Sequence, residues 1–139
     1  MLKLTPSQTQ KNARGAAVLV FMFGLLTLIS GSTVLFGPES FSRMAGEVVD
    51  FVLWFNVLSV PLYLLAGAGL WRGSFWIVGL SAFMALMCAL VLLALLLHIS
   101  TGEAYESRTL VAMSFRLVFW ALLYGFVARR FMTKPRYFE

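Results

Sequence analysis

One charged residue, Arg116, lies inside the apolar stretch 110–127 of the sequence. In a segment that crosses a membrane, an arginine near the centre costs about 2.5–3.5 kcal/mol, so such a residue is by default a candidate for function. Its guanidinium offers a rigid fork of N–H donors that matches carboxylate or phosphate. One interpretation makes Arg116 the anion-recognising floor of an outward-opening pocket. In a second it reaches outward and pairs with Asp50, Glu103 or Glu106, and in a third it meets a charge on another subunit.

Polar side chains on two other apolar stretches lie at a depth that matches Arg116. Asn56, Ser59 and Tyr63 recur at a spacing of three or four, which places them on one face of a helix. Ser30 lies near the end of the first apolar stretch. With a rise of about 1.5 Å per residue, Ser30, Asn56 and Arg116 fall roughly 6–9 Å below the same boundary. The sequence therefore predicts a ligand-binding or buried polar cluster of Arg116, Asn56, Ser30, Ser59 and Tyr63.

The single histidine of the chain, His98, stands just before a connection that is rich in acidic residues. Together with Glu103, Glu106 and Asp50 it forms a candidate cation site on the outer face, since these ligand types fit zinc or copper. No second histidine stands at a metal-ligand spacing, so the metal stays unknown. A haem or a quinone near His98 is a further interpretation. The competing explanation is an interfacial histidine favoured by the dipole at a helix C-terminus.

The composition excludes several classes of protein. Of the 139 residues, 60% are hydrophobic and 12% are charged, whereas soluble domains carry roughly 25% charged residues. A soluble globular domain and a disordered chain are therefore both excluded. The lone Cys88 has no partner for an intrachain disulfide, which excludes a disulfide framework. The chain is predicted to be an integral membrane protein.

Four apolar stretches predict an all-α fold, an antiparallel four-helix transmembrane bundle. The predicted spans cover about 16–36, 52–71, 75–99 and 110–127. Each is long enough to cross a hydrocarbon core of about 30 Å, and a helix satisfies its own backbone groups in lipid, whereas an open sheet does not. We expect a single membrane domain over 1–139, with basic cytoplasmic tails at 1–14 and 129–139.

Lysine and arginine are unevenly divided between the two sides of the predicted bundle. Eight fall on the side of the termini, namely Lys3, Lys11, Arg14, Arg72, Arg129, Arg130, Lys134 and Arg136. On the other side lie only Arg43 and Arg108. Because cytoplasmic segments carry the basic excess, we predict that both termini are cytoplasmic, the N-in/C-in topology. The expected setting is a bacterial inner (plasma) membrane, whose anionic lipid attracts the basic tails.

The sequence carries no catalytic set, since no nucleophile stands with a base beside it. The leading hypothesis is a small non-enzymatic membrane subunit or accessory protein, oligomeric or bound to a larger membrane protein, with no nucleic-acid partner. Its support is the small size, the short loops and the stripes of small residues. The alternatives are a small-ligand binding or transport protein with its pocket around Arg116, and a redox membrane protein that binds haem, quinone or a metal near His98.

Overall fold

The computed structural model describes the backbone of residues 6–132, with side chains from residue 10 onward. The regular secondary structure within that range is helical. In chain order the helices are α1 (Pro6–Phe36), α2 (Glu39–Ala45), α3 (Asp50–Arg72), α4 (Ile77–Ser100) and α5 (Ser107–Met132). All except α2 are long and apolar enough to cross a membrane. The expected all-helical class with four long helices is confirmed.

Proline and glycine set the ends of two helices. α1 ends before Gly37 and Pro38, because the proline ring lacks an N–H group and clashes with the preceding turn. α3 ends before Gly73, whose φ of 68° lies in the left-handed region that glycine adopts without strain. There the N–H of Ser74 donates to the carbonyl of Gly69 at 2.9 Å. This capping turn returns the chain directly to α4.

The connection between the first two long helices contains the short helix α2, which the apolar pattern did not predict. Pro38 stands at its N-cap, and the Nη2 of Arg43 lies 3.4 Å from the Oε2 of Glu39 one turn earlier. An acid in the first turn and a base in the last turn both interact favourably with the helix dipole and so stabilise α2. None of the residues of α2 is buried. A helix that buries no side chain needs no regular spacing of apolar residues, so the apolar pattern of the sequence does not reveal it.

Two long helices continue into the segments that were expected to be tails. α1 begins at Pro6 and α5 runs to Met132, so the described parts of 1–14 and 129–139 are largely helical. A helix continues past an apolar stretch because its backbone hydrogen bonds do not depend on hydrophobic side chains. Outside the described residues lie Lys3, Lys134, Arg136 and Glu139.

Small residues on α1 allow it to pack closely against α3. A Cβ at Gly24 would lie 2.8 Å from the Cβ of Tyr63, and a Cβ at Gly31 would lie 2.5 Å from Val57. Because the chain position rises along α1 as it falls along α3, these two helices are antiparallel. α4 and α5 form a second closely packed pair, and α3 joins the two pairs through α4.

The two ends of the bundle differ in charge, and apolar side chains cover the surface between them. The basic end carries Lys11, Arg14, Arg72, Arg129 and Arg130. The acidic end carries α2, Glu39, Glu47, Asp50, Glu103 and Glu106. Between them Leu58, Leu97 and Leu122 are among many exposed large hydrophobic side chains, an apolar surface that soluble monomers rarely show. The four apolar helices suggest a membrane protein.

α1 and α5 meet through side chains, with few close backbone contacts, and we call this boundary the α1–α5 seam. Phe23 stacks on Phe119 with ring centroids 4.7 Å apart, and it also contacts Phe115. On the side of the basic end the seam opens into an apolar groove of about 200 Å³. The groove is lined by Ala16, Leu19, Val20, Phe119, Leu122, Leu123 and Phe126.

Candidate functional site

The half of the bundle near the acidic end holds a partly open cavity of about 150 Å³. Its walls come from α1, α3, α5, the last residue of α2 and the connection that follows α2. The lining residues are Thr27, Ser30, Gly31, Val34, Ala45, Val48, Val49, Val52, Leu53, Asn56, Thr109 and Arg116. The structure thus brings together three residues of the predicted polar cluster, Ser30, Asn56 and Arg116.

Arg116 is buried in this site, with only 9% of its surface exposed. Its Nη2 donates a hydrogen bond to the Oγ1 of Thr27 at 3.0 Å, which joins α5 to α1. The guanidinium carbon lies 5.5 Å from the centroid of the Phe23 ring, a cation–π contact. The Nε of Arg116 is buried without a hydrogen-bond partner. The hydrogen bond and the ring hold the guanidinium in place without neutralising its charge.

The predicted ion pair between Arg116 and an acidic residue of the outer side is absent from the part of the chain with described side chains. Glu106 pairs instead with Arg108, with Oε1 and Nε 3.3 Å apart. Asp50 and Glu103 form no ion pair with Arg116. The physical reason is depth: Arg116 lies nine residues after Ser107, the first residue of α5, about 14 Å along the helix.

The other two members of the predicted cluster do not line the cavity. Ser59 is buried, and its hydroxyl donates to the carbonyl of Asn56 at 2.7 Å. Tyr63 is fully buried deeper in the bundle, where its ring meets Trp120 edge to face at a centroid distance of 5.0 Å. The Tyr63 hydroxyl is buried without a hydrogen bond of good geometry. Ser59 and Tyr63 are therefore buried residues next to the site and not part of the cavity lining.

Sequence reasoning did not select Thr27 or Thr109 for this site. Thr27 is buried, and its hydroxyl donates to the carbonyl of Phe23 at 2.9 Å while it accepts from Arg116. The available signal was its position on the small-residue face of α1, between Gly24 and Gly31. Spacing alone marks such a face as inward but does not identify which residue meets the arginine.

Several buried polar atoms around the guanidinium lack hydrogen-bond partners among the described residues. They are the Oδ1 of Asn56, the hydroxyl of Tyr63, the Nε1 of Trp120 and the Nε of Arg116. Such groups are rare in folded proteins and ordinarily indicate a bound water, an ion or a functional role. Apart from the acceptor on Asn56, these atoms can all donate a hydrogen bond, so the region is rich in donors and carries a positive charge.

A short segment covers the cavity at the acidic end. Ala45, Val48 and Val49 line it from this side. Between them Gly46 has a φ of 75° and packs against the carboxylate of Glu106, which a Cβ at this position would meet. The contact ties the segment after α2 to the connection before α5.

The candidate cation site around His98 is not gathered into one cluster. The Nε2 of His98 lies 3.4 Å from the carbonyl of Ala104, and its ring meets Phe51 edge on at 6.0 Å. Within the described residues, no three side chains of the histidine, cysteine, aspartate and glutamate types come together as metal ligands do. A metal, haem or quinone near His98 therefore stays a prediction from the sequence.

The chemistry that this arrangement offers is recognition of negative charge. A buried guanidinium held by Thr27 and Phe23 faces a cavity of small-molecule size, and its Nε has no hydrogen-bond partner. No metal-binding cluster accompanies it among the described side chains. No protein-family model, no curated protein and no solved structure matches the chain.

Proposed function

We propose that this chain is a small membrane protein that binds a small anionic group in the cavity at Arg116. The observation that carries the proposal is a guanidinium with 9% of its surface exposed, lining a cavity and lacking an acidic partner among the described residues. The binding interpretation from the sequence is thereby favoured over the accessory-subunit interpretation.

The energetic argument concerns the buried charge. Removing an ion from water costs several kcal/mol, and a neutral hydroxyl such as that of Thr27 offsets only part of that cost. A carboxylate or phosphate would supply the missing opposite charge through short, charge-assisted hydrogen bonds. Arginine suits this role better than lysine because its planar fork contacts two oxygens together.

The proposed orientation places the cavity towards the outside of the cell. Both ends of the described chain lie at the basic end, which the positive-inside rule assigns to the cytoplasm. The acidic end, with the covering segment of the cavity, then faces the exterior of a bacterial inner membrane. An anion would therefore enter from the outer side.

Two other interpretations stay predictions. An accessory subunit, oligomeric or bound to a larger membrane protein, fits the exposed apolar surface, which serves lipid and protein neighbours equally. A redox role near His98 has no ligand cluster to support it among the described residues. The redox interpretation does not explain the unpaired charge of Arg116, and a charge on another subunit would have to reach a side chain that is only 9% exposed.

Thermal unfolding in a neutral detergent tests the proposal. Acetate and inorganic phosphate are added separately to protein in a buffer whose only other anion is a bulky sulfonate. We expect a saturable rise in Tm, because a ligand at a hundred times its Kd stabilises a protein by about 2.7 kcal/mol. The rise should disappear in Arg116→Gln and remain in Arg43→Gln, whose side chain is 81% exposed.

A second variant separates loss of binding from loss of folding. Arg116→Lys keeps the charge but not the fork of donors, so it should retain a weakened response to anions. Far-ultraviolet circular dichroism verifies that each variant is helical before titration. Equal stabilisation of the wild-type protein and Arg116→Gln by the same anion would refute the proposed site.

A further inference from the structure

The polar and apolar residues of the cavity are separated by depth. Counted from the acidic end, Thr27 and Ser30 lie deeper along α1 than Val34 does. On α3, Asn56 lies deeper than Val52, which stands close to the start of the helix. The floor of the cavity is therefore polar on both of these helices, and the wall near the acidic end is apolar.

The remaining walls follow the same division. Arg116 belongs to the floor, because it stands far along α5 from its start at the acidic end. The covering segment contributes Ala45, Val48 and Val49, all of them apolar. Thr109 is the one polar lining residue near the start of α5. A ligand thus meets positive charge at the bottom and hydrocarbon around its upper part.

This polarity distinguishes among anions. Phosphate or chloride would supply the negative charge at the floor but leave the valine wall exposed to water. Such an anion would not gain the free energy of burying apolar surface. A zwitterion would bring its ammonium either towards the guanidinium or into the apolar wall, and both placements are unfavourable. A carboxylate on a short hydrocarbon chain matches the floor and the wall at once.

The volume of this partly open cavity indicates how large a ligand it can surround. A cavity of about 150 Å³ in another protein accommodates benzene, a molecule of six heavy atoms. The cavity at Arg116 has the same volume, about 150 Å³. Butyrate has the same number of heavy atoms as benzene, and it carries the charge at one end.

We infer that the cavity binds short-chain monocarboxylates, with the carboxylate at Arg116 and the hydrocarbon chain towards Val34, Val48 and Val52. The inference rests on the proposed anion site and specifies its ligand class. It assigns the valine wall a part in selecting the ligand, in addition to its part in covering the guanidinium.

A chain-length series tests the inference. The dissociation constants of acetate, propionate, butyrate, valerate and hexanoate are measured by calorimetry on the full chain in neutral detergent. We expect the affinity to rise about fourfold for each added methylene while the cavity fills. The rise should level off near butyrate or valerate, and phosphate and alanine should bind more weakly than butyrate.

Substitutions in the apolar wall provide a matched comparison. Val34→Thr and Val48→Thr keep the shape of the side chain but add a hydroxyl group. They should weaken butyrate about threefold to tenfold and change acetate less than about twofold, because the hydrocarbon chain alone meets the wall. Val118→Thr on the exposed face of α5 is the control and should leave both affinities unchanged.

The outcomes separate the inference from the proposed function. Equal affinity across the series, with Arg116→Gln abolishing all binding, would overturn the monocarboxylate assignment and leave the anion site in place. The same holds if phosphatidylglycerol, and no carboxylate, stabilises the protein through Arg116. If Arg116→Gln binds butyrate as tightly as the wild-type protein does, both the inference and the proposed function fail.

Discussion

At the scale of the residue, the structure gives Arg116 a different partner from those that the sequence suggested. The sequence offered acidic partners for it, but the contact that forms is a hydrogen bond to Thr27, a residue 89 positions earlier in the chain. A hydroxyl satisfies a donor without neutralising a charge. The arginine therefore has no opposite charge among the described residues, which is the charge that the proposed anion would supply.

This difference predicts the outcome of a double-mutant cycle. Without added anion, Arg116→Met should stabilise the protein by about 1–3 kcal/mol, because it removes an uncompensated buried charge. Thr27→Val should destabilise the wild-type protein by about 1–3 kcal/mol, the usual cost when a charged donor loses its acceptor. Thr27→Val should be nearly neutral in the Arg116→Met background, and reversible unfolding in mixed micelles measures all four free energies.

Two outcomes of the double-mutant cycle would contradict these predictions. If Arg116→Met destabilises the protein by several kcal/mol in an anion-free buffer, a compensating partner for the charge exists and the binding argument loses its basis. Additive effects of the two substitutions would show that the hydrogen bond between Arg116 and Thr27 contributes no coupling energy.

At the scale of the element, α1 and α3 form the most closely packed pair around the site. Gly24 allows the backbone of α1 to rest against Tyr63, and Gly31 allows it to rest against Val57. This close approach brings Thr27 within reach of Arg116 from the neighbouring α5. Helix packing along this face of α1 thus positions Thr27, which lies between the two glycines on the same face, to bind the guanidinium.

A glycine substitution on each side of the bundle tests this role of packing. Gly24→Ala would place a Cβ 2.8 Å from Tyr63, so it should destabilise the protein by about 1–3 kcal/mol through overpacking. Gly125→Ala is the matched control, because nothing lies within 4 Å of its Cβ. It should stabilise α5 by about 0.5–1 kcal/mol. A neutral or stabilising Gly24→Ala, measured by thermal unfolding, would show that α1 and α3 do not pack this closely.

At the scale of the whole molecule, charge divides the bundle into a basic end and an acidic end, and the site lies nearer to the acidic end. The antiparallel order of α1, α3, α4 and α5 brings both ends of the described chain to the basic end. An excess of lysine and arginine at one end favours the cytoplasmic side for that end, where anionic lipid attracts it. The proposed access of the anion depends on this orientation.

Labelling of single cysteines tests the orientation in intact cells. In a Cys88→Ala background, Ser42→Cys and Thr101→Cys at the acidic end should react with a membrane-impermeant maleimide added outside. Lys11→Cys at the basic end should react only after the membrane is permeabilised. Cys88 itself is fully buried, so wild-type protein should stay unlabelled in both conditions. The reverse labelling pattern would place the cavity towards the cytoplasm.

The composition and the length of the apolar stretches sufficed to predict an all-helical chain with four long helices. Both properties are local, since roughly twenty apolar residues in a row specify a long apolar helix whatever surrounds them. The same reasoning singled out Arg116, Asn56 and Ser30, because a charged or polar side chain in such a stretch is costly wherever it lies. The polar helix α2 was missed because it buries nothing.

Only the tertiary structure decided which of these residues meet and which partner Arg116 takes. The choice of Thr27 over Asp50, Glu103 and Glu106 depends on the depth of each residue and on the close packing of α1 against α3. The separation of the cavity into a polar floor and an apolar wall likewise arises from four helices and one connection together. Such arrangements depend on distances between segments far apart in the chain, which no local pattern of residues specifies.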